Sequence, residues 1–361
     1  ASSLVPPYQE REDSRPGESM KTAVIAITKH GAALARKLEG DRYISAKFRG
    51  DEPAHYFEKP IKELTAEIWP QYEALVYIVS LGAVVRTIAP FLKDKHVDPA
   101  VIVVDDKANF AISVLSGHVG GANELTEQIA GRLGAQAVVT TASDVGKTIP
   151  VDILGRELGW TTELDQNITK VSAAVVNEEP IAFVQETGET NWWRRDTPLP
   201  KNIQLVSLDD ARRFQTALIV TDRLVEEEFL SKAVLYRPKS LVLGMGCDRG
   251  VTCDDVEQFV FSTFERHGLA FKSVRNLATV DLKQDEPGLV EFCGKYKLPM
   301  VCYPSERLKR VAAPNPSATV EKYVGTPGVC EPAALVSSEG ELIVPKQKAP
   351  MLTLAVARVK F

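Results

Sequence analysis

The stretch from Ala100 to Leu125, AVIVVDDKANFAISVLSGHVGGANEL, decides how the chain is to be read. Val101 to Val104 and Phe110 to Leu115 are apolar runs of strand length, while Leu125, Ile129 and Leu133 recur every four residues until Gly134 supplies a helix stop. Two buried strands therefore lead through LSGHVGG into a helix. Gly117, Gly120 and Gly121 allow backbone N–H groups to turn outward and a ligand to come close, and a helix N-terminus favours negative charge, so the joint is a candidate anion site. A plain turn is the competing reading of the glycines taken alone. His118 lies in this loop rather than on an apolar helix face, which makes it a candidate acid or base. Glu124 either joins it or complements the helix dipole.

Outward from this stretch the same alternation continues. TAVIAIT reads as a strand, HGAALARKL as a helix, ALVYIVS as a strand, VVRTIAPFL as a helix and AVVTTASD as a closing strand, giving a first α/β domain over 20–145. Residues 146–235 are less regular. They offer a helix-like VDILGRELGW, strands around Ala174 to Val176 and Ile181 to Val184, a loop ETNWWRRDTPLP and a strand TALIVTD, and so predict a smaller α/β middle domain. Over 236–361 the alternation resumes with SLVLGMG, a helix closed by Gly268, SVRNLATVDLK, a helix opened by Pro287, LPMVCYP and MLTLAVARV. Thr252 and Asp255 have capping-box spacing. The fold class is therefore α/β, with two parallel-sheet domains flanking the middle one. Residues 1–19, polar and proline-bearing, are expected to form a flexible leader.

Composition narrows the function. The 361 residues are 44% hydrophobic and 25% charged with a net charge of -5, which argues against a general affinity for nucleic acid or an anionic membrane. No apolar run reaches the length of a membrane span, and a cytoplasmic protein is expected. The five cysteines, Cys247, Cys253, Cys293, Cys302 and Cys330, contain no CxxC pair and no zinc-like spacing with histidine. They are expected to be reduced, mostly buried thiols.

Glycine-bearing joints recur after strands: Ser80 to Gly82, Ser116 to His118, GMGCDRG from Gly244 to Gly250, DLKQDEPG from Asp281 to Gly288, and GTPGVCEP from Gly325 to Pro332. In open parallel sheets such joints share the carboxyl edge, where ligands bind. Two edges facing one another would make a cleft, with Arg86, Lys93, Lys95, Arg249, Lys283, Lys346 and Lys348 as its cations. GMGCDRG with Asp281 on the next strand also suggests a dinucleotide site. Against it, each domain is short for two mononucleotide-binding halves, and one polyanion held from both sides accounts for both glycine-rich joints.

The blocks SLGAVVRTIAPFLKDKHVDPAVIVVDD, LSGHVGGANELTEQIAGRLGAQAVVTTASD, GMGCDRG, ATVDLKQDEPGL, GVCEPAAL and LIVPKQK together resemble the cobalt-precorrin-5A hydrolase family, CbiG, of anaerobic cobalamin biosynthesis. The likeness runs from Lys21 to Lys360 and departs from the family's GxGCRRG-like pattern at Asp248. It implies a cobalt-bearing macrocycle with acetate and propionate arms as substrate, so that cobalt arrives with the substrate and no separate cofactor is needed. It implies opening of a δ-lactone and release of acetaldehyde to give cobalt-precorrin-5B. On this resemblance His118 becomes general base or acid, with neutral imidazole available near pH 7, and Glu124 the alternative base or the group orienting His118. The N–H groups of Gly120 and Gly121 would stabilise the oxyanion, and Asn123 would bond the opened carboxylate. Gly82, Arg86 and Gly117 would border the substrate. Gly244, Gly246, Arg249, Lys283 and Lys346 would grip its rim carboxylates, with Asp281 and Glu286 as further polar contacts or a helix cap. Neighbouring methyltransferases of the pathway are the protein partners implied. A non-catalytic tetrapyrrole carrier and a nicotinamide-dependent reductase are the alternatives.

Overall fold

The computed structural model describes residues 20–94 and 97–361, so the leader over 1–19, and Lys95 among the candidate cations, lie outside the described residues. The chain divides into two compact units, one ending at Ile153 and one beginning at Leu154.

The first unit is built on β1 (Thr22–Ala26), β2 (Asp41–Ser45), β3 (His55–Phe57), β4 (Ala74–Ile78), β5 (Ala100–Val104), β6 (Phe110–Leu115) and β7 (Gln136–Val138), in the order β3-β2-β1-β4-β5-β6-β7. Its helices are α1 (Lys29–Ala35), α2 (Ile61–Ile68), α3 (Leu81–Ile88), α4 (Ala122–Leu133) and α5 (Ala142–Val145). Residues alternate between two cores. Val24, Val76, Ile102 and Ile129 pack on one face, while Ile25, Leu75, Tyr77, Val101, Leu64 and Val84 pack on the other. Burial on both faces explains why these strands read as unbroken apolar runs. Trp69, just after α2, is buried in the second core and packs against Phe91 with ring centroids 5.8 Å apart.

One strand breaks the expected parallel order. β6 runs antiparallel to β5, because only Asp105 to Asn109 connect them and a parallel crossover needs a dozen residues or more. Asp105 organises this turn by accepting hydrogen bonds from Lys107 N (2.9 Å), Phe110 N (2.6 Å) and Asn109 Nδ2 (3.1 Å). The reversal moves the end of β6 to the edge where β5 begins: Leu115 pairs with Val101, and Ser116 Oγ donates to Asp98 O at 3.0 Å. The joints after β4 and β6 therefore do not share an edge.

The second unit holds two sheets. The first comprises β8 (Thr161–Glu163), β9 (Ile181–Gln185), β10 (Ile203–Leu205), β11 (Ala217–Val220) and β12 (Ala233–Arg237) in the order β10-β9-β11-β12-β8, parallel except for β8. It carries α6 (Ile168–Val176) and α7 (Leu208–Ala211). The strand expected around Ala174 to Val176 is the end of α6 instead, whose buried Val171, Ala174 and Val175 have helical spacing. Trp192 stacks on Phe183 at 4.5 Å and Trp193 Nε1 donates to Thr197 O at 2.7 Å, so both tryptophans anchor their loop.

The second sheet comprises β13 (Leu241–Cys247), β14 (Val274–Val280), β15 (Met300–Tyr303), β16 (Glu341–Ala349) and β17 (Leu352–Arg358), in the order β15-β14-β13-β17-β16. Its first three strands are parallel, and β17 is antiparallel to both its neighbours. Around it lie α8 (Cys253–His267), α9 (Pro287–Lys295), α10 (Ser305–Leu308), α11 (Ala318–Val324) and α12 (Cys330–Ser338). α8 begins with the Thr252–Asp255 capping box and ends at Gly268 with φ +62°. A buried ion pair ties the two sheets: Asp222 accepts from Arg358 Nε (2.8 Å) and Nη2 (2.9 Å) and from Ser240 Oγ (2.9 Å).

Candidate active site

The joint after β6 closes on itself. Gly121 N donates to His118 O (3.0 Å), Ala122 N to Ser116 O (3.2 Å) and Asn123 N to Gly117 O (3.0 Å). The N–H groups of Gly121, Ala122 and Asn123 are thus bonded within the joint, and Gly121 does not offer its N–H to an oxyanion. The glycines serve the turn: Gly121 has φ +78°, a Cβ on Gly117 would lie 2.7 Å from Asn123 Oδ1, and one on Gly120 would meet the Ser116 side chain.

What the turn presents is His118. Its Nε2 lies 2.9 Å from Asp144 Oδ2 and its Nδ1 3.2 Å from Asp152 Oδ1, while Ser143 Oγ is 3.2 Å from Nε2. The ring is 11% exposed, against 31% for the Asp144 side chain and 18% for Asp152, so solvent reaches the cluster past the carboxylates. Asp144 and Asp152 together outweigh burial and lift the imidazole pKa to about 9. His118 is therefore an imidazolium near neutral pH, a correction to the neutral ring expected there. Asn123 is buried, and its Nδ2 donates to Asp144 Oδ2 (2.7 Å) and Thr141 Oγ1 (2.9 Å) while its Oδ1 accepts from Ser113 Oγ (2.7 Å). Its amide is committed to holding Asp144 and cannot also take up an opened carboxylate. Glu124 is exposed and accepts from Gln128 Nε2 at 3.1 Å; Asp144 and Asp152 orient His118 in its place. Glu124 instead borders a cavity of about 830 Å³ with Lys21, Leu38, Ile129 and Arg132.

Gly82 and Arg86 sit on exposed positions of α3, at the edge where β4 ends and away from the edge that carries His118. Their grouping with His118 fails because β6 is reversed. Leu81 and Val85 of the same helix are exposed apolar side chains. Beyond β1, Thr28 Oγ1 bonds Asp106, and His30 Nδ1 lies 3.3 Å from Asp106 Oδ2.

In the second unit the carboxyl edge of β13 and β14 collects several of the predicted residues. Arg249 Nη1 donates to Asp285 Oδ1 (2.7 Å) and Nη2 to Leu282 O (2.8 Å). Glu286 is fully buried and accepts from Gly250 N at 2.7 Å, with Arg249 at 3.4 Å and Lys283 Nζ at 3.8 Å. It organises the loop rather than meeting a ligand. Asp281 Oδ1 accepts from Leu282 N at 2.8 Å, within its own turn. Gly244 is buried beneath α12, where a Cβ would run into the Cys330 carbonyl, and Gly246 is pressed against Thr353 Oγ1. Gly244 therefore touches neither a rim carboxylate nor a pyrophosphate; its glycine is needed for helix packing. Lys346 reaches this edge on β16, with N donating to Glu331 Oε1 (3.0 Å) and Nζ to Asn315 O (3.2 Å).

Glu331 is the buried acid missing from the sequence reading. It also accepts from Asn315 N (2.9 Å) and Nδ2 (2.7 Å), and although burial works to raise its pKa, these bonds and the one from Lys346 N hold it below the usual carboxylate range. An acid in the first turn of an apolar helix, in GVCEPAAL, was its only signal. Burial pushes the Cys247 thiol up to about 11, so it is not a poised nucleophile. Among the described residues no group of three or more His, Cys, Asp or Glu side chains is arranged to hold a metal ion, and no helix is long and apolar enough to cross a membrane.

Comparison with known proteins agrees along the chain. Residues 63–144 match the family model described as cobalamin synthesis G N-terminal, 149–238 the cobalamin biosynthesis central region, and 241–357 the cobalamin synthesis G C-terminus. The cobalt-precorrin-5A hydrolase of Priestia megaterium is 46% identical over 94% of this chain and 95% of that protein. That of Salmonella typhimurium is 30% identical over 93% and 97%, and a probable cobalt-precorrin-5A hydrolase of Methanocaldococcus jannaschii is 24% identical over 94% and 99%. With identity at this level running from end to end, the chain belongs to the cobalt-precorrin-5A hydrolase family, CbiG.

Proposed function

We propose that the protein is a cobalt-precorrin-5A hydrolase, opening the δ-lactone of a cobalt-containing tetrapyrrole and releasing acetaldehyde to leave cobalt-precorrin-5B. The observation that carries this reading is the 46% identity over 94% of the chain to a hydrolase of that name. Cobalt enters and leaves as part of the substrate, and no cofactor is needed for a hydrolysis. The five cysteines are all free thiols, which supports a reducing compartment, the cytoplasm, as the place of work.

The chemistry requires a group to take the nucleophile's proton and a group to give one to the departing alkoxide. The cluster of His118, Asp144 and Asp152 is the acid–base centre in this reading: the imidazole takes a proton once it has lost its own, and returns it as imidazolium. Gly82, Arg86 and Glu124 fall outside the acid–base centre.

Incubation of the purified protein with the lactone and assay of acetaldehyde tests the activity. His118→Ala should lower turnover by roughly 100-fold to 10,000-fold while substrate binding, titrated directly, is largely retained. Binding without acetaldehyde release by the unaltered protein would favour the carrier reading instead.

A further inference from the structure

Ser143 and Asp152 contact the two different ring nitrogens of His118. Ser143 Oγ is 3.2 Å from Nε2 on one side of the ring, and Asp152 Oδ1 is 3.2 Å from Nδ1 on the other. A hydroxyl next to a base that a third group orients is the arrangement of an activated nucleophile, recognised by geometry and not by order along the chain. We propose that Ser143 is the covalent nucleophile of the lactone opening and that the reaction passes through an ester of Ser143. The inference rests on the hydrolase reading for its substrate, while the triad rests on its own distances.

The surroundings hold the serine in place. Thr141, which precedes α5, accepts from Asn123 Nδ2 at 2.9 Å, and the same amide donates to Asp144 Oδ2 at 2.7 Å, so α5 is pinned to the start of α4 on both sides of Ser143. The Ser143 carbonyl accepts from Thr148 N at 2.9 Å, and the residue is 8% exposed. Asp144 shares Nε2 with the serine at 2.9 Å and is the main group favouring the protonated ring at rest.

The step balances without oxidant or reductant. A bond forms between Ser143 Oγ and the lactone acyl carbon, the ring C–O bond breaks, and the serine proton passes through His118 Nε2 to the departing alkoxide oxygen. Water then adds to the ester: its hydroxyl goes to the acyl carbon and its remaining hydrogen returns to Ser143 Oγ. One water is consumed and the acid is freed. The charged groups facing His118 are Asp144 of α5 and Asp152 beyond it. Ester formation should accelerate as pH rises toward about 9, where the imidazole loses its proton, and Asp144→Asn should shift that rise to lower pH.

The test is a rapid acid quench of the enzyme with its lactone substrate, followed by mass measurement of the peptide that contains Ser143. A transient substrate-derived mass on that peptide is expected, and Ser143→Ala should lack it and lose roughly 10,000-fold in turnover. Ser143→Cys keeps the shape and a nucleophile, and should accumulate a thioester that hydroxylamine releases. A fluorophosphonate should label Ser143 in the unaltered protein and fail to label it in His118→Ala. Wild-type acetaldehyde release by a folded Ser143→Ala variant would overturn the proposal and leave the hydrolase reading intact. Absence of acetaldehyde from the unaltered protein, with Ser143 still labelled, would overturn the hydrolase reading and leave the triad standing.

Discussion

His118 shows how far a single residue can be read from its neighbours in the chain. Its loop position and the glycines beside it marked it as reactive, but the groups that set its charge lie 26 and 34 residues further on and are brought to it by the turn at α5. Its folded pKa of about 9 lies above the 6.5 of a free imidazole. A group whose pKa is raised by folding stabilises the fold fully below its unfolded value and loses that contribution as pH climbs through the folded one. Stability, measured as urea midpoints, should therefore decline between about pH 6.5 and pH 9. His118→Gln should flatten the decline, and Glu124→Gln should leave it unchanged. At the other unit's edge, Arg249 is engaged by Asp285 while the nearest carboxylate to Lys283 Nζ is Glu286, at 3.8 Å. Lys283→Ala should weaken binding of the carboxylated macrocycle more than Arg249→Ala does, with the difference greatest at low salt. An affinity of Lys283→Ala unchanged from the parent would remove Lys283 from the site.

At the scale of elements, periodicity carried most of the fold, because strands buried on both faces and helices with one apolar face leave different patterns. Hence β1, β4, β5, α4 and α8 were legible, with Gly134 and Gly268 as their stops. Direction was not. The alternation of strand and helix implied a parallel sheet throughout, while the short link from Asp105 to Asn109 held the contrary information: it is long enough for a hairpin and too short for a crossover. That one reversal separated Gly82 and Arg86 from His118. Glycine was also ambiguous, because a close approach by a ligand and a close approach by a helix both exclude a side chain. Gly244 belongs to the second case. Gly244→Ala should cost about 1–3 kcal/mol by overpacking α12 against β13. A thermal midpoint unchanged from the parent would show that α12 moves aside without penalty.

For the molecule as a whole, the three expected sheets are present, and contacts gather the second and third into one unit. The Asp222–Arg358 pair that joins them spans 136 residues, and no local pattern announces it. Arg358→Ala would leave the buried Asp222 carboxylate with Ser240 as its only hydrogen-bond partner among the described residues. Removing one member of a buried pair costs about 3 kcal/mol or more. Hydrogen exchange should quicken in β11, β12, β13 and β17 and stay unchanged in β1, β4 and β5; a uniform increase in both units would show that they unfold as one.

Trp69 supplies a means of watching this. It is the single tryptophan of the first unit, buried beside Phe91, while Trp160, Trp192 and Trp193 all belong to the second. With those three replaced by phenylalanine, ultraviolet emission reports from one hydrophobic interior alone, and a red shift dates the moment water enters it. The unit that carries Ser143 and His118 thus contains its own optical clock.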